Sequence, residues 1–271
     1  DVALKKVRKL GSGVYGTAYL LEFKSKKMKK RLVLKTMALG GYGHDHFSDI
    51  AGIMLWENSC YSKLPRHISS YDVIGLSKKG RIISMGEARK FYILVEEAKG
   101  REYAKDLDEL LEREAKELDK NRVKVLANYL AKIHSKRINK PELYVRRVRD
   151  LVGHGECIMG VLDGYPKRSF LSENEKKEFV KNCVDWWSKL KRKTHRLTVV
   201  HGDFHPFNIL FQGITKFITL DRSRGEYGEP ADDTTALTTN YILWSLVKYG
   251  EFTGEYLSLI HISEPTRLGM I

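Results

Sequence analysis

The sequence predicts an α+β chain, with an antiparallel sheet and one helix in its N-terminal part and mostly helix beyond. Three observations predict it. Up to about residue 96, short β-type apolar runs alternate with glycine-rich or polar turns, interrupted by one helical stretch. Apolar residues then recur at helical spacing, most clearly over Val123 to His134. A second pair of β-type runs, Leu197 to Val200 and Ile209 to Phe211, finally brackets the polar segment His201-Gly202-Asp203-Phe204-His205-Pro206-Phe207-Asn208. At 271 residues the chain can form two lobes or small domains with their own cores.

The first strand runs into Leu10-Gly11-Ser12-Gly13-Val14-Tyr15-Gly16, a G-x-G-x-x-G pattern. A dinucleotide fold uses the same letters, but there the glycines open a helix. Here Thr17 to Phe23 reads as a second strand, so the glycines form a hairpin tip whose bare backbone can approach phosphate oxygens. An ordinary glycine-rich hairpin is the alternative. After a polar turn, Lys24 to Lys30, comes Arg31-Leu32-Val33-Leu34-Lys35-Thr36-Met37. Lys35 is a cation inside an apolar β-type run. It is either an edge-strand lysine or one that grips phosphate. The helical stretch from about Phe47 to Leu64 carries Ile50, Ile53, Met54 and Tyr61 near one face, and Glu57 shares that stripe. A carboxylate there is costly unless paired, which makes Glu57 the natural partner of Lys35. Asp49 is the second candidate, and a solvated Glu57 is the plain alternative.

Phe91 to Val95 reads as the last strand of the N-terminal part, followed by a hinge, Glu96 to Gly100. A charged helical stretch, Asp106 to about Lys120, leads into the amphipathic helix ending at His134, a histidine expected to be packed rather than catalytic. Residues 141–195 are rich in cations, with Arg146, Arg147 and Arg149 close together. Trp186 and Trp187 lie on a helix there and are expected in the core and at a partly exposed surface. Thr234 to Val247 reads as a further apolar helix.

The chemistry concentrates around Asp203. Asn208 follows five positions later, and Asp221 stands thirteen beyond that, after the apolar run Phe217 to Leu220. Phosphoryl transfer from ATP needs such a set. One carboxylate takes or orients the acceptor hydroxyl's proton, while an amide oxygen and a second carboxylate hold magnesium against the phosphates. A polar turn between two strands would also favour Asp and Asn. The upstream glycine loop, lysine and glutamate weigh against that reading. His201 and His205 are expected to orient the loop, because Asp203 already supplies the base.

On these residues, with Gly228-Glu229-Pro230-Ala231-Asp232-Asp233 after them, the chain resembles the aminoglycoside phosphotransferase family of small-molecule kinases, from the first strand to about Ser245. The resemblance implies a two-lobed protein-kinase-like fold: an ATP-binding lobe at 1–96, a hinge at 97–101, and a catalytic and acceptor-binding lobe at 102–258. It implies ATP or GTP and Mg2+ as cofactors, and Asp203 as the catalytic residue. Gly11, Ser12, Gly13, Gly16, Lys35 and Glu57 would serve the nucleotide, and Asn208 and Asp221 the metal. The backbone of Glu97 and Ala98 would meet the adenine. It also implies that 141–195 helps shape the acceptor site. The equal alternative is an amphipathic helix whose arginines are solvated or bind the lobe's own carboxylates. A protein substrate is the less favoured reading. Asp221 is followed by Arg222-Ser223, and only Arg222 to Gly228 separate it from Glu229, too short for a peptide-binding activation segment. Gly202 stands where protein kinases usually carry arginine.

Composition agrees with one compact enzyme of cytoplasmic type. Apolar content is 42% and charged content 30%, and no run approaches a membrane span. Cys60, Cys157 and Cys183 are scattered, without disulfide or zinc spacing. The net charge of +14 would suit nucleic acid, and a non-catalytic nucleotide-binding or nucleic-acid-binding protein is the second class considered. Its basic runs, Lys24 to Arg31 and Lys189 to Arg196, lack interleaved aromatics or a recognition helix, so no nucleic-acid partner is expected. The expected partner is a small-molecule alcohol or sugar acceptor, neutral or anionic, since +14 suits polycationic aminoglycosides poorly. The start at Asp1 and the ending, residues 259–271, which resembles translated sequencing adapter, suggest a fragment with a non-native tail. That tail is expected to lack a packed position.

Overall fold

Strands β1 (Ala3–Ser12) and β2 (Gly16–Lys24) form the antiparallel hairpin expected of the glycine segment, with Ser12 opposite Thr17. The computed structural model describes residues 3–24, 29–39, 44, 47–83, 90–166 and 170–263. The expected turn over Lys24 to Lys30 lies partly outside them. The chain divides into two interleaved units. Unit 1 comprises Asp1–Ser62, Ser69–Glu97 and Pro141–Thr194, and unit 2 comprises Lys63–Ile68, Ala98–Lys140 and His195–Ile271. One change of unit falls between Glu97 and Ala98, inside the expected hinge. The helices of 141–194 group with unit 1.

Unit 1 is built on a six-stranded antiparallel sheet. With β3 (Lys29–Met37), β4 (Ser70–Leu76), β5 (Ile82–Ile83) and β6 (Lys90–Glu96), its order is β1-β2-β3-β6-β4-β5. β1 lies at the edge, wholly exposed, and carries Lys5, Lys6, Arg8 and Lys9, cations of the kind that discourage edge-to-edge pairing. β3 is interior, which removes the edge-strand explanation of Lys35. Helix α1 (Phe47–Cys60) buries Ile50, Met54, Glu57 and Cys60, and a 3-10 turn over Tyr61–Lys63 continues it. Ile50 and Met54 pack with Phe91, Met37 and Val73, so α1 covers the sheet face those side chains share.

Three further helices belong to unit 1: α4 (Pro141–Gly153), α5 (Ile158–Asp163) and α6 (Glu173–Leu190). Ser172 Oγ accepts from the Glu175 amide at 3.3 Å and Glu175 Oε2 accepts from the Ser172 amide at 2.8 Å, the reciprocal cap that starts α6. α6 buries no residue, and Trp186 is 59% exposed, so neither tryptophan is in the core as expected. The helix presents only a half-buried stripe, Val180, Cys183 and Trp187, at helical spacing. The arginines of α4 are used within the unit. Arg146 stacks over Trp56 at 4.6 Å and pairs with Asp150, which Arg149 also approaches.

In unit 2 the expected single charged stretch is two helices, α2 (Tyr103–Glu109) and α3 (Glu117–His134). α2 ends at Leu110, which is fully buried. Arg113 then reaches Asp119, whose carboxylate accepts from the Lys116 amide at 2.7 Å and starts α3. α7 (Pro230–Tyr249) is longer than expected: Pro230 opens it, Asp232 and Asp233 occupy its first turn, and Gly250 ends it in the left-handed region at φ 72°. Leu243, Leu246 and Val247 remain exposed on α7. α8 (Gly254–Ser263) buries Tyr256, Leu259, Ile260 and Ser263, one stripe at helical spacing. Leu259 and Ile260 share the core of Leu107, Leu126, Leu130, Leu237 and Tyr241, and Ile262 packs against it. The expected loss of packing from residue 259 is therefore corrected through Ser263, and Leu268 lies outside the described residues. Small sheets complete the unit: β7 (Arg101–Glu102) beside β9 (Ile209–Phe211) and β10 (Phe217–Thr219), and β8 (Thr198–Val199) with β11 (Tyr227–Gly228).

Candidate active site

The polar segment of unit 2 is anchored at its start by two buried charges. Arg222, fully buried, donates from Nε and Nη2 to the Val200 carbonyl (3.2 and 2.7 Å) and from Nη2 to that of Glu226 (3.0 Å). Asp233 accepts from the amides of His201 (2.8 Å) and Gly202 (2.7 Å), and its Oδ2 bonds His134 Nε2 at 2.9 Å. Burial alone would raise the Asp233 carboxyl. The His134 hydrogen bond and the other donors outweigh it and hold the carboxyl below its ordinary range. Burial keeps His201 neutral, pushed down to about 4 against the pull of Asp233 and Asp203. Its Nδ1 accepts from the Asp203 amide at 3.3 Å.

Asp203 and Asn208 are brought into direct contact. A 3-10 turn over Pro206–Asn208 folds the segment back, with the Asn208 amide donating to the His205 carbonyl at 2.9 Å. Asn208 Nδ2 then donates to the Asp203 carbonyl (3.0 Å) and to its Oδ2 (3.3 Å). Burial would raise the Asp203 carboxyl, but the His205 imidazole, its Nε2 3.6 Å away, and the Arg224 charge, at 3.9 Å, hold it down at about 2. The thirteen-residue spacing to Asp221 is a β-hairpin. Ile209 pairs with Thr219, and the Leu220 amide donates to the Asn208 carbonyl at 2.9 Å. Asp221 thus follows directly on the residue bonded to Asn208. Its φ of 50° is the left-handed conformation that aspartate tolerates better than most residues.

In unit 1, Gly11, Ser12, Gly13 and Gly16 sit at the β1–β2 tip. A Cβ on Gly11 or Gly13 would meet nothing within 4 Å, whereas one on Gly16 would lie 1.9 Å from the Thr36 carbonyl oxygen. Openness at the tip and close approach at its base are both met by glycine. Lys35 pairs across the sheet with Ala18 and Ile93, and Ile93 with Val73, whose side chain packs under α1. Cross-strand partners share a face, so Lys35 projects onto the face that α1 covers. Glu57, 6% exposed, lies on the same buried stripe of α1 as Ile50 and Met54. Lysine and glutamate therefore occupy facing layers. Asp49 stands half-buried in the first turn of α1. Glu97 follows β6, its side chain paired with Arg31 at 2.7 Å, and Ala98 begins the next segment of unit 2.

A model of the phosphotransferase enzyme family matches residues 6–220. The chain belongs to that family. Among solved structures, aminoglycoside phosphotransferase APH(4)-Ia is similar at 14% identity over 100% of this chain and 80% of that one, with a TM-score of 0.53. Aminoglycoside phosphotransferase APH(2'')-Ib, ADP-bound, is similar at 14% identity over 98% and 81%, with a TM-score of 0.51. Macrolide 2'-phosphotransferase MphH from Brachybacterium faecium, as the apoenzyme, is similar at 10% identity over 99% and 79%, with a TM-score of 0.50. These likenesses establish the kinase-like fold. No curated protein sequence matches.

Around the candidate site of this phosphotransferase stand residues that its sequence does not single out. Asp233 lies within a string that resembles the family, but its bond to His134 spans 99 positions, and nothing near His134 in sequence offers a partner. In the sequence, Arg222 stands out only as a break in another kinase pattern. Arg224, in a patternless loop, carried no sequence signal. His205 approaches Asp203 as a loop-orienting residue would.

Proposed function

We propose that this phosphotransferase transfers the γ-phosphoryl group of ATP or GTP, with magnesium, to a hydroxyl of a small neutral or anionic acceptor. The observation that carries the reading is the locked set in unit 2: Asp203 bonded to Asn208, with Asp221 brought beside Asn208 by the β9–β10 hairpin. Asp203, ionised throughout the physiological range, accepts the hydrogen bond of the acceptor hydroxyl and aims its oxygen at phosphorus. As the new O–P bond forms and the bond to the bridging oxygen breaks, the hydroxyl proton passes to Asp203 and on to solvent. The nucleoside diphosphate leaves with the bridging oxygen. A loose transition state makes the hydroxyl acidic only late, so position matters more than basicity.

Asn208 commits Nδ2 to Asp203, which leaves Oδ1 for a cation, and Asp221 adds a carboxylate. Two protein oxygens suit magnesium, which takes its remaining ligands from phosphates and water. Magnesium would supply charge neutralisation between β- and γ-phosphates. Lys35 would grip the α- and β-phosphates, steadied by Glu57, beneath the glycine tip, and the backbone of Glu97 and Ala98 would meet the base. One of the similar structures, that of APH(2'')-Ib, is ADP-bound, which supports a nucleotide donor.

The test is nucleoside diphosphate release from ATP and from GTP across a panel of alcohols and sugars, beside nucleotide titrations with and without magnesium. Asp221→Ala should remove the magnesium-dependent part of ATP binding, and Lys35→Ala should weaken binding more than Glu57→Gln. Magnesium-insensitive ATP binding by the parent protein would sink the reading.

A further inference from the structure

We propose that Phe207 selects the acceptor: its exposed ring stacks on a ring of the acceptor, aromatic or the C–H face of a sugar, that bears no positive charge and is set apart from the reacting hydroxyl. The inference rests on the reading that Asp203 receives that hydroxyl, and names the acceptor class.

Within the catalytic segment, Phe207 is 53% exposed, whereas Phe204 and both chain neighbours, Pro206 and Asn208, are buried. A single exposed apolar residue needs no explanation by itself. Two features set this one apart. Its direction is fixed, because the turn over Pro206–Asn208 closes on the His205 carbonyl at 2.9 Å and Asn208 is tied to Asp203. Phe207 cannot swing inward without opening the turn that holds Asn208 in place. Its ring is also backed. The ring centre lies 5.9 Å from that of Trp244, which is 7% exposed and donates from Nε1 to Asp108 Oδ1 at 2.9 Å. A buried, hydrogen-bonded aromatic thus supports a phenyl group whose other side meets solvent.

Its place gives it a use. The Phe207 ring centre is 5.9 Å from that of His205, and His205 Nε2 is 3.6 Å from Asp203 Oδ2. The side chains of His205 and Asp203 are 29% and 25% exposed, so carboxylate, imidazole and phenyl reach solvent in series. A ligand that sets its hydroxyl on Asp203 and runs along this series meets Phe207 one imidazole later. Hydroxyl and ring therefore belong to opposite ends of the acceptor. Small-molecule sites combine such an apolar contact with a few polar groups that fix orientation, and a phenyl ring pairs offset or edge-on with another ring. Aromatic faces also attract cations. The Arg224 charge, 3.9 Å from Asp203, and the net charge of +14 oppose a cation here.

The probes are methyl β-D-glucoside, phenyl β-D-glucoside and methyl β-D-cellobioside, which share one sugar and differ in what its far end carries. Calorimetric titration would use the full chain with magnesium and a non-hydrolysable ATP analogue, as parent, Phe207→Ala, Phe207→Leu and Phe207→Tyr. The parent should bind a ring-extended probe about 3- to 10-fold more tightly than methyl glucoside, the worth of an aromatic pair. Which of the two it favours tells an aromatic ring from a sugar face. Phe207→Ala and Phe207→Leu should erase the difference and Phe207→Tyr should keep it, with methyl glucoside and the nucleotide analogue bound alike by all four. The proposal is overturned if the parent favours neither extended probe, if Phe207→Leu keeps the preference, or if the variants weaken all three probes equally. Tighter binding of choline than of its neutral isostere 3,3-dimethyl-1-butanol would overturn the exclusion of a cation. Unchanged turnover by Asp203→Asn on the preferred probe would instead remove the reading of Asp203 on which the inference rests.

Discussion

A carboxylate held down at about 2 is a weak proton acceptor at neutral pH but a constant hydrogen-bond acceptor, which suits Asp203 to aiming a hydroxyl. Asp203→Asn keeps the shape and removes the charge. It should lower turnover by a factor of about 10² or more, as loss of a positioned acid–base group does, with ATP affinity unchanged. Turnover of the variant equal to the parent's on a validated acceptor would reject the assignment. Asp203, Asn208 and Asp221 were legible in the sequence because their spacing is local: one turn separates the first two, and one short hairpin the third. Asp233 and Arg224 were not, because their contacts to the segment cross 31 and 21 positions (233 − 202 and 224 − 203). No periodicity records a contact of that range.

At the scale of elements, the β1–β2 tip divides its glycines between two demands. Gly16→Ala forces a methyl group against the Thr36 carbonyl, where 1.9 Å is available, and should cost about 1–3 kcal/mol, as overpacking does. Shifting β2 against β3 should also weaken nucleotide binding. Gly13→Ala meets open space and should leave unfolding unchanged. Denaturant midpoints of the two variants separate these outcomes, and equal midpoints would contradict the packing account. The strand-and-loop pattern was legible here because period-two alternation and glycine punctuation are local signals. The burial of Glu57 was legible because it stands at helical spacing within an apolar stripe. α6 was misjudged for the opposite reason: paired tryptophans suggest a core, but 59% exposure of Trp186 depends on what the rest of the chain places against the helix.

For the molecule as a whole, the catalytic segment ties stability to acidity. His201 is buried and neutral, its folded value about 4 against about 6.5 for the free side chain. Between those values the unfolded chain binds the proton and the folded one does not, so stability falls as pH drops from about 6.5 toward 4. The full effect is about 3 kcal/mol, a large share of a typical margin. Asp203 and Asp233, held below their ordinary range, act with the same sign at lower pH: their contribution is present above about 4 and is lost as pH falls further. Acid unfolding should therefore come in two windows, the first belonging to His201. His201→Gln keeps a polar side chain of similar reach without a titrating ring. It should flatten the pH dependence between about 6.5 and 4 while leaving the lower window in place. Denaturant midpoints measured across that range decide the matter, and a variant that kept the parent's slope there would show that the sensitivity lies in some other group.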